Sequence, residues 1–370
     1  MKKIVFLINT LNIGGAEHAL IDIANALDKK VFDVTIKTIY DSNSFSDLVH
    51  EKVKIDSYYK KKKNSLVDKI CRKVIYLKLK HFSNKKLYKL LIKEKYDIEV
   101  AFLEGLPTKI IAGSTSSAKK IAWVHCDFKI NNDSDYFFKN FEEQKKTYQR
   151  YDEIYCVSEN SKKSFEKRFD IKKNTFVMHN IIDEKTIRQK SLEKAELSND
   201  FNIISVGRLT EQKAYERLVE AYSKALNIIK IKTHLYIVGD GEEKNKIETA
   251  IKKYKLEKQI SLLGRQSNPS KYVGKCQLYV CSSKSEGYPL VIQEALALGI
   301  PILSTNCLNS EELFNGKNFG LVVENSIEGI TKGLIQLINN NSELRKIKKE
   351  IQKKYQQENS IEKIQSQLLK

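Results

Sequence analysis

Residues 285–303 read SEGYPLVIQEALALGIPIL; the short apolar run Leu278–Cys281 precedes them, and they end by entering a second such run, Ile302–Ser304. Proline at position 289 suits the first turn of a helix, where its missing N–H costs nothing. The helix is therefore expected from about Pro289 to Leu298, with Glu286 in the loop ahead of it. Gly299 closes the helix and Pro301 prevents its continuation. Strand, loop, helix and strand in so short a span form a crossover unit, which makes the neighbouring strands parallel. The helix N-terminus turns free N–H groups and a positive dipole end toward an anionic or hydroxyl-rich ligand. Glu294 lies on the helix, at most about 12 Å along its axis from Glu286. Ile292 and Ala295–Leu298 flank it, and a carboxylate in such apolar company is costly unless paired or ligated. One carboxylate can take a sugar and the other a ribose, because both ligands offer vicinal hydroxyls that a carboxylate accepts bidentately. A helix-surface acid is the alternative for Glu294, and spacing alone does not decide.

The same alternation extends outward in both directions. Phe201–Val206 is a strand running into Gly207, Tyr215–Ile229 a helix, Leu235–Val238 a strand ending at Gly239-Asp240-Gly241, and Ile260–Leu263 a strand ending at Gly264. Leu321–Val323 completes this set. Earlier in the chain, strands are expected at Lys3–Ile8, Val34–Ile39, Ile98–Phe102, Lys120–Val124 and Ile154–Val157. Helical patterns lie at Ala16–Leu27, 66–93 and about 135–150. The expectation is an α/β protein of two doubly wound, Rossmann-like domains facing a central cleft. An N-terminal domain would cover 1–180, a polar linker 181–200 and a C-terminal domain 201–350. A helix over 351–370 would cross back to the first domain. Open sheets of this kind bind ligands outside the carboxyl ends of their strands.

With 370 residues, 41% hydrophobic and 30% charged, the chain can bury two cores and is neither disordered nor membrane-spanning in composition. No stretch approaches the ~18 apolar residues of a spanning helix, and Ile4–Ile8 is too short for a secretory signal. A cytoplasmic location is expected. Six scattered cysteines without a Cys-x-x-Cys pair fit a reducing compartment and no structural metal. The net charge of +19 comes chiefly from lysine. Between Lys60 and Lys95, fourteen Lys/Arg face two acids, while Leu66, Ile70, Val74 and Leu77 recur at helical spacing. A basic amphipathic helix reads as an anionic-membrane-surface element; a solvated lysine face on a core-packed helix is the alternative. No nucleic-acid-binding motif accompanies the charge.

Directly after a predicted strand comes Gly207-Arg208-Leu209-Thr210-Glu211-Gln212-Lys213. Glycine lets backbone approach a ligand, and two cations five apart can bracket a diphosphate. Arg265 likewise follows a glycine past a strand. Taken alone, each arginine reads more readily as a surface cation on a loop.

Together these segments resemble glycosyltransferase family 4, the retaining GT-B enzymes, of bacterial surface-polysaccharide type. The resemblance spans nearly the whole chain: LNIGGAEHAL at 11–20, WVHCD at 123–127, VGRLTEQK at 206–213, IVGDGEEK at 237–244, LLGR at 262–265, and 285–303 with the family's Glu-x7-Glu as Glu286 and Glu294. It implies that Gly14 and Gly15 lie near donor phosphates and acceptor, and that His125 faces the transferred sugar. It implies that Arg208 and Lys213 neutralise the diphosphate in place of a metal, and that Arg265 lies beside the base. Glu286 would hold donor-sugar hydroxyls beside the backbone of Gly287, Tyr288, Pro289 and Leu290, all of which but the proline offer an N–H. Glu294 would hold the ribose. No cofactor is implied, and no general base is assigned. Where many members carry Gly-Gly, this chain has NCLNSEEL at 306–313, with Asn309 and Ser310. Glu104, in FLEG at 102–105, is a candidate on the acceptor side.

The function implied is hexosyl transfer from a nucleotide sugar, a UDP-sugar by preference, to a glycan or lipid-linked acceptor in capsule or other cell-envelope polysaccharide biosynthesis. The competing readings are a UDP-sugar epimerase, a soluble-acceptor transferase, and a non-catalytic partner subunit.

Overall fold

The computed structural model describes the whole chain except residues 13, 42–44, 63–64, 131, 308–309, 315 and 356–359, and the side chains of 310–311. It divides into two units, Met1–Ile181 with Asn359–Lys370, and Ile182–Glu358.

In unit 1, strands β1 (Lys2–Ile8), β2 (Phe32–Tyr40), β3 (Lys54–Tyr59), β4 (Ile98–Ala101), β5 (Lys119–Val124), β6 (Glu153–Cys156) and β7 (Thr175–Val177) form a sheet in the order β3-β2-β1-β4-β5-β6-β7. All its pairings are parallel. The central strands are near-continuous apolar runs, as a sheet covered on both faces requires: Ile4, Val5, Phe6, Leu7 and Ile8 are fully buried. The apolar pattern at 66–93 resolves into two helices, Ser65–His81 and Asn84–Leu91. They break at Ser83, whose side chain caps the second helix by accepting from the Lys86 N–H. The pattern at 135–150 is α-helical only over Phe141–Tyr148, preceded by a 3₁₀ turn at Asp133–Phe137. Helix Ile361–Leu369 buries Ile364 and Leu368 and belongs to this unit. Asp28 N donates to Gln365 Oε1 at 2.6 Å, and Lys119 Nζ donates to the Gln367 carbonyl at 2.9 Å.

In unit 2, β8 (Phe201–Val206), β9 (Thr233–Val238), β10 (Ile260–Gly264), β11 (Leu278–Cys281), β12 (Ile302–Thr305) and β13 (Gly320–Val323) form a second parallel sheet, ordered β10-β9-β8-β11-β12-β13. In both sheets the order reverses beside the first strand, giving doubly wound α/β units with switch points between β1 and β4 and between β8 and β11.

The segment 181–200 differs from the expected linker. Residues 182–200 belong to unit 2, and Glu184–Ser191 is a helix capped by Asp183, which accepts from the Thr186 N–H at 3.0 Å. Its buried Ile187 anchors it, and Asn268 donates to the Lys190 carbonyl. The final helical segment likewise divides, Asn341–Lys354 staying with unit 2.

Candidate active site

The switch point of unit 2 gathers the loops that the sequence singles out. The loop after β8 is stitched to the loop after β9: Leu209 N donates to the Asp240 carbonyl and Glu243 N to the Leu209 carbonyl, both at 3.0 Å. The approach is close enough that a Cβ on Gly239 would fall 1.8 Å from the Gly207 carbonyl oxygen. Residues 207–213 are thereby fixed over the carboxyl ends of β8 and β11.

Onto this loop folds 282–286, from the end of β11. Gln212 Nε2 donates to the Ser285 carbonyl and Lys284 N to the Gln212 carbonyl, both at 2.8 Å. Arg217 donates to the Ser282 carbonyl at 2.9 Å and to Asn325 at 2.6 Å, while Asn325 donates to the Lys284 carbonyl. Glu286 is thus held in place, buried, with Lys213 Nζ at 2.6 Å and the Ser283 hydroxyl donating to the same oxygen at 2.5 Å. Burial is the largest single effect and opposes charge on Lys213, but Glu286, Cys281 and Tyr215 together outweigh it and the ammonium pKa is raised. The lysine stays cationic at every physiological pH.

Arg208 stands apart from this pair. It is exposed and reaches Glu242 at 3.5 Å, an outer contact that an anionic ligand can replace. Helix Leu290–Ala297 starts from Pro289 as its N-cap residue; Tyr288 and Leu290 are buried, Gly287 and Glu294 partly exposed. Arg265 is exposed after Gly264, which takes a left-handed φ of 64°. Asn309 lies outside the described residues, as does the side chain of Ser310.

In unit 1, Gly14 precedes helix Gly15–Ala26, and a Cβ on Gly15 would meet nothing within 4 Å. His125 follows β5. Glu104 Oε1 accepts its N–H at 2.5 Å and the Cys126 N–H at 2.8 Å, fixing the turn. The ring lies 4.8 Å from that of Phe102, and its buried Nε2 finds no hydrogen-bond partner among the described residues. Burial pushes its pKa down to about 3, so the imidazole is neutral. A neutral ring with an unsatisfied nitrogen is suited to exchange a hydrogen bond with a hydroxyl.

Sequence reasoning missed the roles of Ser283, Gln212, Arg217 and Asn325 in holding Glu286, and that of Glu104 in holding His125. Position directly after a strand was the signal available for Ser283 and Glu104. Among the described residues no group of three or more His, Cys, Asp or Glu is assembled to hold a metal ion.

Residues 184–354 match the family described as glycosyl transferases group 1. An uncharacterised glycosyltransferase of Haemophilus influenzae is 29% identical over 351 residues, covering 92% of this chain and 91% of its own. An alpha-1,4-N-acetyl-D-galactosaminyltransferase of Campylobacter jejuni, named for an acceptor carried on PP-undecaprenol, is 26% identical, covering 94% of this chain and 91% of its own. The crystal structure of Anabaena HepE in complex with UDP and glucose superposes with a TM-score of 0.75 at 18% identity, covering 100% of this chain and 98% of that one. These findings support a glycosyltransferase with the GT-B fold.

Proposed function

We propose that the protein is a retaining glycosyltransferase of the family 4 type. It moves a hexose from a UDP-sugar to a polysaccharide or lipid-linked oligosaccharide acceptor, without a metal ion, as a peripheral protein at the cytoplasmic face of the membrane. The observation that carries this reading is the Lys213–Glu286 pair at the β8/β11 switch point, backed by Ser283. A buried carboxylate beside a permanent cation supplies an acceptor for sugar hydroxyls and a donor for the diphosphate within one site. Relatives named for lipid-carried acceptors, and a fold neighbour holding UDP and glucose, support the substrate classes.

As the anomeric C–O bond to the diphosphate breaks, negative charge grows on the leaving oxygen. Lys213 and Arg208 stabilise it, more strongly in the transition state than in the ground state. The acceptor hydroxyl attacks from the same face, its oxygen forming the new C–O bond and its proton passing to the leaving phosphate oxygen. Glu286 holds the hexose, Glu294 the ribose and Arg265 lies by the base; Gly14, Gly15 and His125 serve sugar and acceptor. A donor screen by nucleotide release, run with UDP-, GDP- and ADP-sugars with and without membrane extract, tests the proposal. UDP release that requires extract is expected. Epimerised or hydrolysed sugar at full rate without any acceptor would overturn it.

A further inference from the structure

Helix Ser65–His81 carries its apolar residues on the outside. At 3.6 residues per turn Leu66, Val67, Ile70, Val74 and Leu77 fall within an arc of about 100°, and they are 67%, 45%, 56%, 43% and 44% exposed. The opposite side is the one that packs. Leu79 is buried there, and so is Asp68, which accepts from the Tyr59 hydroxyl at 2.9 Å, the Lys62 N–H at 2.8 Å and Arg72 Nε at 2.7 Å. Arg72 also donates to the Asp41 carbonyl at 2.9 Å. A polar clamp thus roots the helix in unit 1 and leaves its apolar stripe to the surroundings. This reverses the usual arrangement, in which the apolar stripe faces the core. A contiguous exposed apolar patch marks an interaction site.

The charges around the stripe name the occupant. Lys69, Lys73 and Lys80 border one edge and Lys78 the other, while the helix's acid, Asp68, is turned inward. Near the same edge, Tyr76 stacks on exposed Tyr136 at 5.6 Å, and Lys80 Nζ lies 3.4 Å above the Tyr136 ring. Apolar residues flanked by lysines, with tyrosines at the margin, match the layering of an anionic bilayer surface: acyl chains, then interfacial aromatics, then phosphates. A second copy of the chain fits poorly, because pairing two such stripes sets lysine against lysine.

We infer that helix Ser65–His81 lies flat on an anionic bilayer, with Ile70, Val74 and Leu77 entering the acyl boundary and Lys69, Lys73, Lys78 and Lys80 at the headgroups. The inference deepens the proposed peripheral location, but it rests on the exposed stripe and not on the transferase reading.

Co-sedimentation with vesicles of phosphatidylcholine, with and without phosphatidylglycerol, tests it. Wild-type protein should bind the anionic vesicles and remain partly bound at high salt, where a purely electrostatic contact releases. Ile70→Ser/Val74→Ser/Leu77→Ser should weaken binding roughly tenfold or more and make the remainder fully salt-reversible. Lys69→Glu/Lys73→Glu/Lys78→Glu should abolish the preference for phosphatidylglycerol. These positions are exposed, so both variants should keep wild-type UDP affinity and melting temperature. Wild-type protein that fails to sediment overturns the inference, as does a serine variant that binds like wild type. If the serine variant instead converts a dimer to a monomer in analytical ultracentrifugation, the stripe is a self-association surface and the inference falls. Nucleotide release in detergent scores the transferase reading separately.

Discussion

Lys213 and Glu286, 73 residues apart in the chain, meet at 2.6 Å because their loops leave neighbouring strands, β8 and β11, at the same edge of the sheet. The cation is therefore engaged before any donor arrives. An anion arriving at this site meets Lys213 already paired with Glu286 rather than a bare ammonium.

Breaking this pair from one side should destabilise unit 2. Lys213→Ala leaves a buried, unpaired carboxylate, at a cost of about 3 kcal/mol. Adding Glu286→Ala should recover part of the loss, since the orphaned charge goes with it. Urea melts of the two single variants and the double variant give the coupling; additive losses would show that the pair is energetically inert.

Turnover should separate from stability at Arg208. Its exposed contact with Glu242 is worth little, so Arg208→Ala should melt like wild type. Turnover should nonetheless fall roughly 10²–10³-fold in Arg208→Ala and in Lys213→Ala, more than donor binding weakens. Near-normal turnover in both would remove the leaving-group role.

The two glutamates should divide the donor between them. Calorimetry with UDP alone should show Glu294→Ala binding weakly and Glu286→Ala binding nearly as wild type, while sugar transfer fails mainly in the latter. A large loss of UDP affinity in Glu286→Ala would overturn that division.

His125 sets a pH signature. Its folded pKa, about 3, lies below the ordinary 6.5, so the unfolded chain binds the extra proton first. The associated stability is present above 6.5 and lost progressively as pH falls toward 3. His125→Asn should flatten the melting temperature against pH across that window, and wild-type turnover should show no limb from this residue between pH 6 and 8. Parallel melting curves for variant and wild type would contradict the burial of Nε2.

Activity should survive EDTA. The chain's Asp-x-Asp, Asp133-Ser134-Asp135, lies in unit 1, and Asp135 is bound to Arg168 at 2.6 Å. Full loss on chelation, restored by magnesium or manganese, would rule out the cation-only mechanism.

The apolar central strands and the helix after Pro289 were legible because burial on both faces and proline geometry write themselves into short windows of sequence. The edge strands of unit 1 were not, whereas those of unit 2, β10 and β13, were. Lys54–Tyr59 alternates with charge and β7 is three residues long, because an edge strand needs neither apolar faces nor length. Helix Glu184–Ser191 buries Ile187 alone and so read as linker. The periodicity of Leu66, Ile70, Val74 and Leu77 announced a stripe but not its direction, since a clamp on the far side, Asp68 with Tyr59 and Arg72, decides that. Likewise Glu104 and Ser283 act through contacts with residues whose proximity only the folded sheet creates.

Helix Ile361–Leu369 packs on the first-made part of the chain, and the Asp28–Gln365 hydrogen bond spans 337 residues. The N-terminal unit therefore leaves the ribosome incomplete and must wait, with the surface that receives Ile364 and Leu368 uncovered, until all of unit 2 has been synthesised. Loss of the last ten residues should unfold the beginning of the protein before its end.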